Sequence, residues 1–266
     1  LPDEKEFISS EGKKKKASWF SMAKNRTYNQ VMNSLEDLHS DLNSEITSHL
    51  AKAEILFSRE LIELGFIHLH AAKKTALQNE CFALAYLASE REYKVKMQNY
   101  LDQKNFTQLL GEQEKIFALL NNAKSYYILA QKVYQCYLIH GVSFKKKKSA
   151  VIEEFKRQPL LQNESMARSI EAKEYFHLAH GFLYGMVGDY KNSHYHTRKR
   201  AELYFDHPFK INNNRYAYLY VLNNALITAL YAKKYDEFKT YFKKLDEIRP
   251  NLKHDIEKKT AFYMRN

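Results

Sequence analysis

EYFHLAHGFLYGMVGDYKNSHYHTRKRAELYFDHP, residues 174–208, is the stretch whose reading decides the fold class. Tyr175, Phe176, Leu178, Ala179, Phe182, Leu183, Tyr184, Met186 and Val187 leave almost no polar face, which predicts a helix buried between neighbours rather than one lying on a surface. Gly188 suits the left-handed conformation that ends a helix, and Asp189 suits the cap of the next. Tyr190, Ser193, Thr197, Ala201 and Tyr204 then recur at helical spacing until Pro208 stops the run. The stretch therefore reads as a helical hairpin.

The bulk composition extends that reading to the whole chain. Seven Gly and four Pro in 266 residues, with 45% hydrophobic and 14% aromatic residues, exclude a disordered or turn-rich chain and predict an all-helical one with short connections. Cys81 and Cys136 are too few for a disulfide framework and read as buried free thiols. No secretory signal is visible, and the longest uncharged stretch, residues 216–232, falls short of a membrane span, so a soluble cytoplasmic protein is expected. The first residue is Leu rather than Met, which fits a segment of something longer.

Residues 1–17 are polar and lack a sustained apolar period, and so predict a flexible arm ahead of one helical domain over residues 18–266. Within it, Tyr28, Val31, Met32 and Leu35 mark a first helix, and Ile46, Leu50, Ala53 and Phe57 a second opened by Asn43 or Ser44. Leu61, Leu64, Leu69 and Ala72 mark a third, with Ala53, Gly65 and Ala72 expected where two helices cross, and Gly181 and Ala201 paired by the same logic. A helix over residues 78–103 follows, with Phe82, Ala85, Tyr86, Ala88 and Tyr93 inward, then a long one to Gly141 that Asn121 and Asn122 bend or divide. Gln158 and Pro159 open the longest loop, a soft subdivision near residues 157–165. Helices over residues 216–232, with Tyr235, Phe238, Phe242 and Leu245 forming the next face up to Pro250, and over residues 252–264 complete the chain.

Gly181, Tyr184, Gly188, Asp189 and Tyr190 resemble the tetratricopeptide repeat closely. Leu222, Ala225, Ala229, Tyr235 and Pro250 resemble it moderately, and Ala53, Leu56, Gly65 and Ala72 faintly. The chain, especially QPLLQNESMARSIEAKEYFHLAHGFLYGMVGDY and YLYVLNNALITALYAKKYDEF, also looks like the C-terminal helical region of a set of bacterial tetratricopeptide-like proteins of undetermined function. Ser193 departs from the pattern, where Ala is usual, as does the late stop at Pro208. The resemblance implies an irregular tetratricopeptide-like α-solenoid of stacked antiparallel hairpins, and it implies no enzymatic residue.

The chemistry visible in the sequence points to binding rather than catalysis. His177, His180, His194 and His196 come nearest to a metal cluster, but His194 and His196, two apart on a helix, point in different directions, so structural roles and no metal are expected. His68 and His70 share that spacing. Glu153 and Glu154 are splayed apart on a helix, as are Glu36 and Asp37. No phosphate loop, dinucleotide fingerprint, nucleophile elbow, HExxH or CxxC occurs, so no enzyme and no cofactor is expected. Stacked hairpins form an inner groove lined by their first helices. On the tetratricopeptide phase, Tyr175, Leu178 and Phe182 approach that groove from one hairpin, and Tyr220, Asn223 and Asn224 from the next. The two asparagines suit either a peptide backbone, which their amides pair with, or a buried hydrogen-bonding device between helices. A protein or peptide is the expected partner. The net charge of +11 is concentrated in Lys13 to Lys16 and in Lys145, Lys146, Lys147 and Lys148, which supply the alternative reading, a nucleic-acid or anionic-surface contact.

Overall fold

A computed structural model describes residues 14–38, 42–98, 105–141 and 149–248, and among them every regular element is helical. The helices are α1 (Lys14–Leu38), α2 (Leu42–Ser58), α3 (Ile62–Gln78), α4 (Phe82–Gln98), α5 (Phe106–His140), α6 (Ser149–Lys156), α7 (Ile170–Met186), α8 (Tyr190–Asp206), α9 (Phe209–Asn213), α10 (Arg215–Tyr231) and α11 (Tyr235–Ile248). From α2 onward each long helix packs chiefly on its sequence neighbours: α2 on α3, α3 on α4, α4 on α5, α5 on α7, α7 on α8, α8 on α10 and α10 on α11.

Four of the connections share one turn geometry. Glu60, Glu80, Gly188 and Lys233 all adopt positive φ (61°, 56°, 76° and 57°). In each turn the following amide donates back to a carbonyl in the last turn of the preceding helix: Leu61 to Leu56, Cys81 to Ala76, Asp189 to Tyr184 and Lys234 to Ala229. Only Gly188 adopts that conformation without a Cβ penalty, which is about 1–2 kcal/mol for other residues. Lys233→Gly is therefore expected to raise stability by about 1 kcal/mol. Glu80→Gly is expected to lower it, because the Glu80 carboxylate accepts hydrogen bonds from the Ile170 and Glu171 amides at 2.8 Å each and so caps α7. Urea denaturation of the two variants checks both signs.

The shared turn places three hairpins in one register. Helices α2, α3, α7, α8 and α10 each have 17 residues. Aligned on Glu60, Gly188 and Lys233, the hairpins α2/α3, α7/α8 and α10/α11 match position by position. Ile46, Glu174 and Leu219 are equivalent, as are Ala72, Arg200 and Leu245. The side chains at these positions differ in kind, which matters for the site.

Several boundaries depart from expectation. Helix α1 begins at Lys14, inside the stretch read as an arm, and the helix expected over residues 78–103 starts later, at Phe82 after the Glu80 turn, and ends at Gln98. Asn121 and Asn122 do not divide the chain: α5 runs unbroken for 35 residues, and the Asn122 side chain bonds outward to the Met166 carbonyl and the Arg168 amide. Leu61, Leu64 and Tyr235 are exposed, and Phe66 and Tyr241 are buried in their stead. Gly65 meets the Phe57 ring rather than Ala53, while a Cβ on Gly181 would touch Thr197 rather than Ala201. Cys136 is buried and Cys81 half-buried in the turn before α4, both as free thiols. Pro250 and the helix expected over residues 252–264 lie outside the described residues.

The core falls into clusters along the helix order. One joins α5, α6 and α7 through Val133, Ile152, Phe176 and Leu183, and takes in Leu161 of the short 3-10 turn Pro159–Leu161 and Ala167, which follows the turn Glu164–Met166. Another joins α8, α10 and α11 through Tyr204, Leu222, Tyr241 and Leu245. A buried carboxylate ties α3 to α4: Glu92 takes Lys73 at 2.6 Å, Lys96 at 3.0 Å and His70 at 3.1 Å, and Lys73 reaches Glu112 of α5 at 3.0 Å. Burial works against the Glu92 charge, but the hydrogen bonds from Lys73 and Lys96 outweigh it and hold the carboxyl down at about 2.

Candidate binding site

Helices α5, α7 and α10 face one another across a cavity of about 460 Å³. Its walls are Tyr134 of α5, Tyr175, Leu178 and Phe182 of α7, and Tyr216 and Tyr220 of α10. The rings interlock around it, with Phe182 packed 5.0 Å from Tyr134 and 4.9 Å from Tyr137, and Tyr175 edge-on to Tyr127 at 5.2 Å. A narrower slot of about 130 Å³ adjoins it between α7, α8 and α10, lined by Gly181, Gly185, Ser193, Thr197, Ile227 and Tyr231. Leu178, Phe182 and Arg200 line both spaces and so stand at their junction.

The floor of the larger cavity is charged. Glu174 is 5% exposed, and its Oε1 accepts from Arg200 Nη2 at 2.8 Å, Arg200 Nε at 3.3 Å and the Tyr204 hydroxyl at 2.9 Å. Its Oε2 takes Lys210 Nζ, from α9, at 2.9 Å. Burial penalises the Glu174 charge, yet Arg200 and Lys210 prevail and hold the carboxyl below its ordinary range. Burial and the same carboxylate push the Tyr204 and Tyr175 hydroxyls well above theirs, so both remain protonated donors. Arg200 is itself 5% exposed, and its Nη1 is buried with no hydrogen-bond partner among the described residues. Leaving such a donor unmade costs about 1–3 kcal/mol or more.

Of the residues expected from sequence, Tyr175, Leu178, Phe182 and Tyr220 meet around the larger cavity, and Asn224 lines the slot. Asn223 lines neither space. Burial raises the Tyr220 hydroxyl above its ordinary range, with the Tyr134 side chain of α5 and that of Asn224 beside it. Lys145, Lys146, Lys147 and Lys148 lie outside the described residues. Sequence reading missed Glu174, Arg200, Tyr204, Lys210 and Tyr134. Glu174 and Arg200 carried a usable signal, because each stands where the equivalent hairpins carry apolar residues.

The histidines divide into separate groups. His177 and His196 place their Nδ1 atoms 3.1 Å apart, and His180 stacks on His196 at 4.6 Å while bonding the Leu161 carbonyl. His194 turns away to Thr228 and Glu237, as its spacing from His196 implies. The first hairpin repeats the arrangement, with His49 and His68 Nδ1 atoms 3.0 Å apart, while His70 turns to Glu92. Among the described residues no group of three or more His, Cys, Asp or Glu is placed to hold a metal ion. None of the described helices is long and apolar enough to cross a membrane.

Fold and site together define an all-helical chain whose successive helices pack side by side around an aromatic cavity with a charged floor. Comparison with family models gives no match, and comparisons with curated proteins and with solved structures give no significant match.

Proposed function

We propose that this chain is a non-enzymatic, tetratricopeptide-like α-solenoid that binds an extended segment of another protein across α5, α7 and α10. The observation that carries the reading is the aromatic cavity of about 460 Å³ between those helices. Its size falls in the range of ligand-binding clefts, and tyrosines suit peptide recognition because they offer large rigid area with a polar tip. The common register of α2/α3, α7/α8 and α10/α11, and the packing of each long helix on its sequence neighbours, support the solenoid.

A random peptide library displayed against the whole chain tests the proposal. Enriched peptides are expected to bind at least tenfold more weakly to Tyr220→Ala and Asn224→Ala, with the melting temperature lowered by no more than a few degrees. Absence of any enriched peptide counts against the function, and parallel loss of binding and melting temperature assigns the two side chains to the core instead.

A further inference from the structure

The slot beside Arg200 exists because this hairpin is small where its counterparts are large. Gly185 stands where the equivalent hairpins have Phe57 and Leu230, and Thr197 where they have Leu69 and Phe242. In the first hairpin Phe57 fills the space over Gly65, whereas here Gly185 faces Ser193, and a Cβ on Gly185 would still lie 3.4 Å from its hydroxyl. The hydroxyls of Ser193, Thr197 and Thr228 in the slot are already satisfied within the protein. Ser193 donates to the Gly181 carbonyl, Thr197 to the Ser193 carbonyl and Thr228 to the Asn224 carbonyl. What remains open is an apolar space of about 130 Å³ ending at a buried guanidinium with an unused nitrogen.

The charged floor is not required to close such a hairpin. The positions of Glu174 and Arg200 are Ile46 and Ala72 in the first hairpin, which share one buried apolar cluster, and Leu219 and Leu245 in the third, which share another. Counted at the floor, Arg200 and Lys210 face one carboxylate, Glu174, leaving one positive charge over. Of the other carboxylates lining the cavity, Glu171 pairs with Lys124 at 3.3 Å, and Glu80 lies at the start of α7, where the helix N-terminus offsets part of its charge and the floor's own excess is left to Arg200 and Lys210. A single excess charge suits a monoanion. A dianionic phosphate beside Glu174 would leave buried negative charge uncompensated.

We propose that the junction of slot and cavity binds a small apolar monocarboxylate, its hydrocarbon body among Gly181, Gly185 and Phe182 and its carboxylate on Arg200 and Lys210. The size follows from the slot, since an apolar cavity of about 150 Å³ takes a benzene ring. The same chemistry is carried by a free small acid and by a C-terminal aromatic residue of a polypeptide. The inference goes beyond peptide binding and stands or falls separately from the library experiment.

Titration of the whole chain with phenylacetate, followed by amide chemical shifts, tests it, with 2-phenylacetamide and acetate as controls lacking the charge and the ring. Phenylacetate is expected to bind at least tenfold more tightly than either. Gly185→Leu, which copies Leu230, is expected to abolish the binding while leaving Arg200 and the fold intact. Lys210→Gln, which preserves the Glu174–Arg200 pair, is expected to weaken it at least threefold. N-acetyl-Ala-Ala-Phe with a free or an amidated terminus identifies the source: the free-terminus peptide binds more tightly than phenylacetate if a chain end is the ligand, and more weakly if a free acid is. Equal binding of the acetamide, no phenylacetate binding at millimolar concentration, or full binding by a folded Gly185→Leu protein overturns the proposal.

Discussion

Arg200→Leu is expected to destabilise the chain by about 3–5 kcal/mol, whereas Glu174→Leu/Arg200→Leu recovers most of that loss, stopping short of the parent because Lys210 and the Tyr204 hydroxyl lose their partner. The single change strands the Glu174 carboxylate, 5% exposed, with only Lys210 and the Tyr204 hydroxyl as partners. The double change removes both charges and installs the residues that the third hairpin carries at the same places, Leu219 and Leu245, which are 0% and 4% exposed. Replacing a buried ion pair with apolar side chains of similar volume is commonly neutral or stabilising, because the desolvation of two charges is no longer incurred. Urea denaturation of the two single variants and the double forms a cycle whose coupling should reach several kcal/mol. A double variant as unstable as Arg200→Leu would show that the pair holds the hairpin together, and the case for a charge kept for a ligand would go with it.

Where backbone chemistry set the structure, the sequence was readable. Gly188 and Asp189 announce their turn because only glycine enters the left-handed region freely and an aspartate caps the amide it precedes, and Asp189 indeed accepts from the Asn192 amide. The turns at Glu60, Glu80 and Lys233 have the same backbone and no such residue, so packing on either side imposes them, and the hydrophobic period places the helix boundaries there without showing the turn geometry. Helix α4 is accordingly expected from about residue 78, four residues before its actual start at Phe82. At the site, the aromatic walls followed from helical phase: Tyr175, Leu178 and Phe182 lie on one face of α7, and the phase alone directs them to a common side. Glu174 and Arg200 were hidden by a sound default, that a charged residue on a helix faces water. Their burial is visible only against Ile46 and Ala72 or Leu219 and Leu245, and that alignment needs the turn positions.

Acid is expected to unfold this protein through the histidines between α7 and α8, beginning well above the range of ordinary carboxylates. His177 is 2% exposed, and burial, reinforced by the nearby His180, lowers it from the ordinary 6.5 to about 4 despite the Glu164 carboxylate 3.5 Å from its Nε2. Burial, with His180 and His177 alongside, lowers His196 to about 3, and burial lowers His180 as well, Lys156 adding to the effect. With the Nδ1 atoms of His177 and His196 3.1 Å apart, one ring donates and the other accepts, so a second proton breaks the bond between them. The unfolded chain takes up protons near 6.5 while the folded one does not. Stability is therefore complete above that pH and is lost as pH falls through 6.5 toward 4. For His177 alone, at about 1.4 kcal/mol per unit, the loss at pH 4 is about 3 kcal/mol. Glu174, held low by Arg200 and Lys210, adds a further loss as pH falls below the ordinary carboxylate value of 4.5, where the unfolded chain takes up this proton and the folded one does not. The third hairpin supplies the control, because its residues at the equivalent positions are Leu222 and Tyr241, both buried. His177→Leu/His196→Tyr should flatten the stability profile between pH 7 and pH 4.5 while leaving the value at pH 7 within about 1–2 kcal/mol of the parent, the range of a tolerated core swap. Equal stability of the parent protein at the two pH values, measured by urea denaturation, would mean that these rings charge freely in the folded state and that the interface between α7 and α8 is open to water.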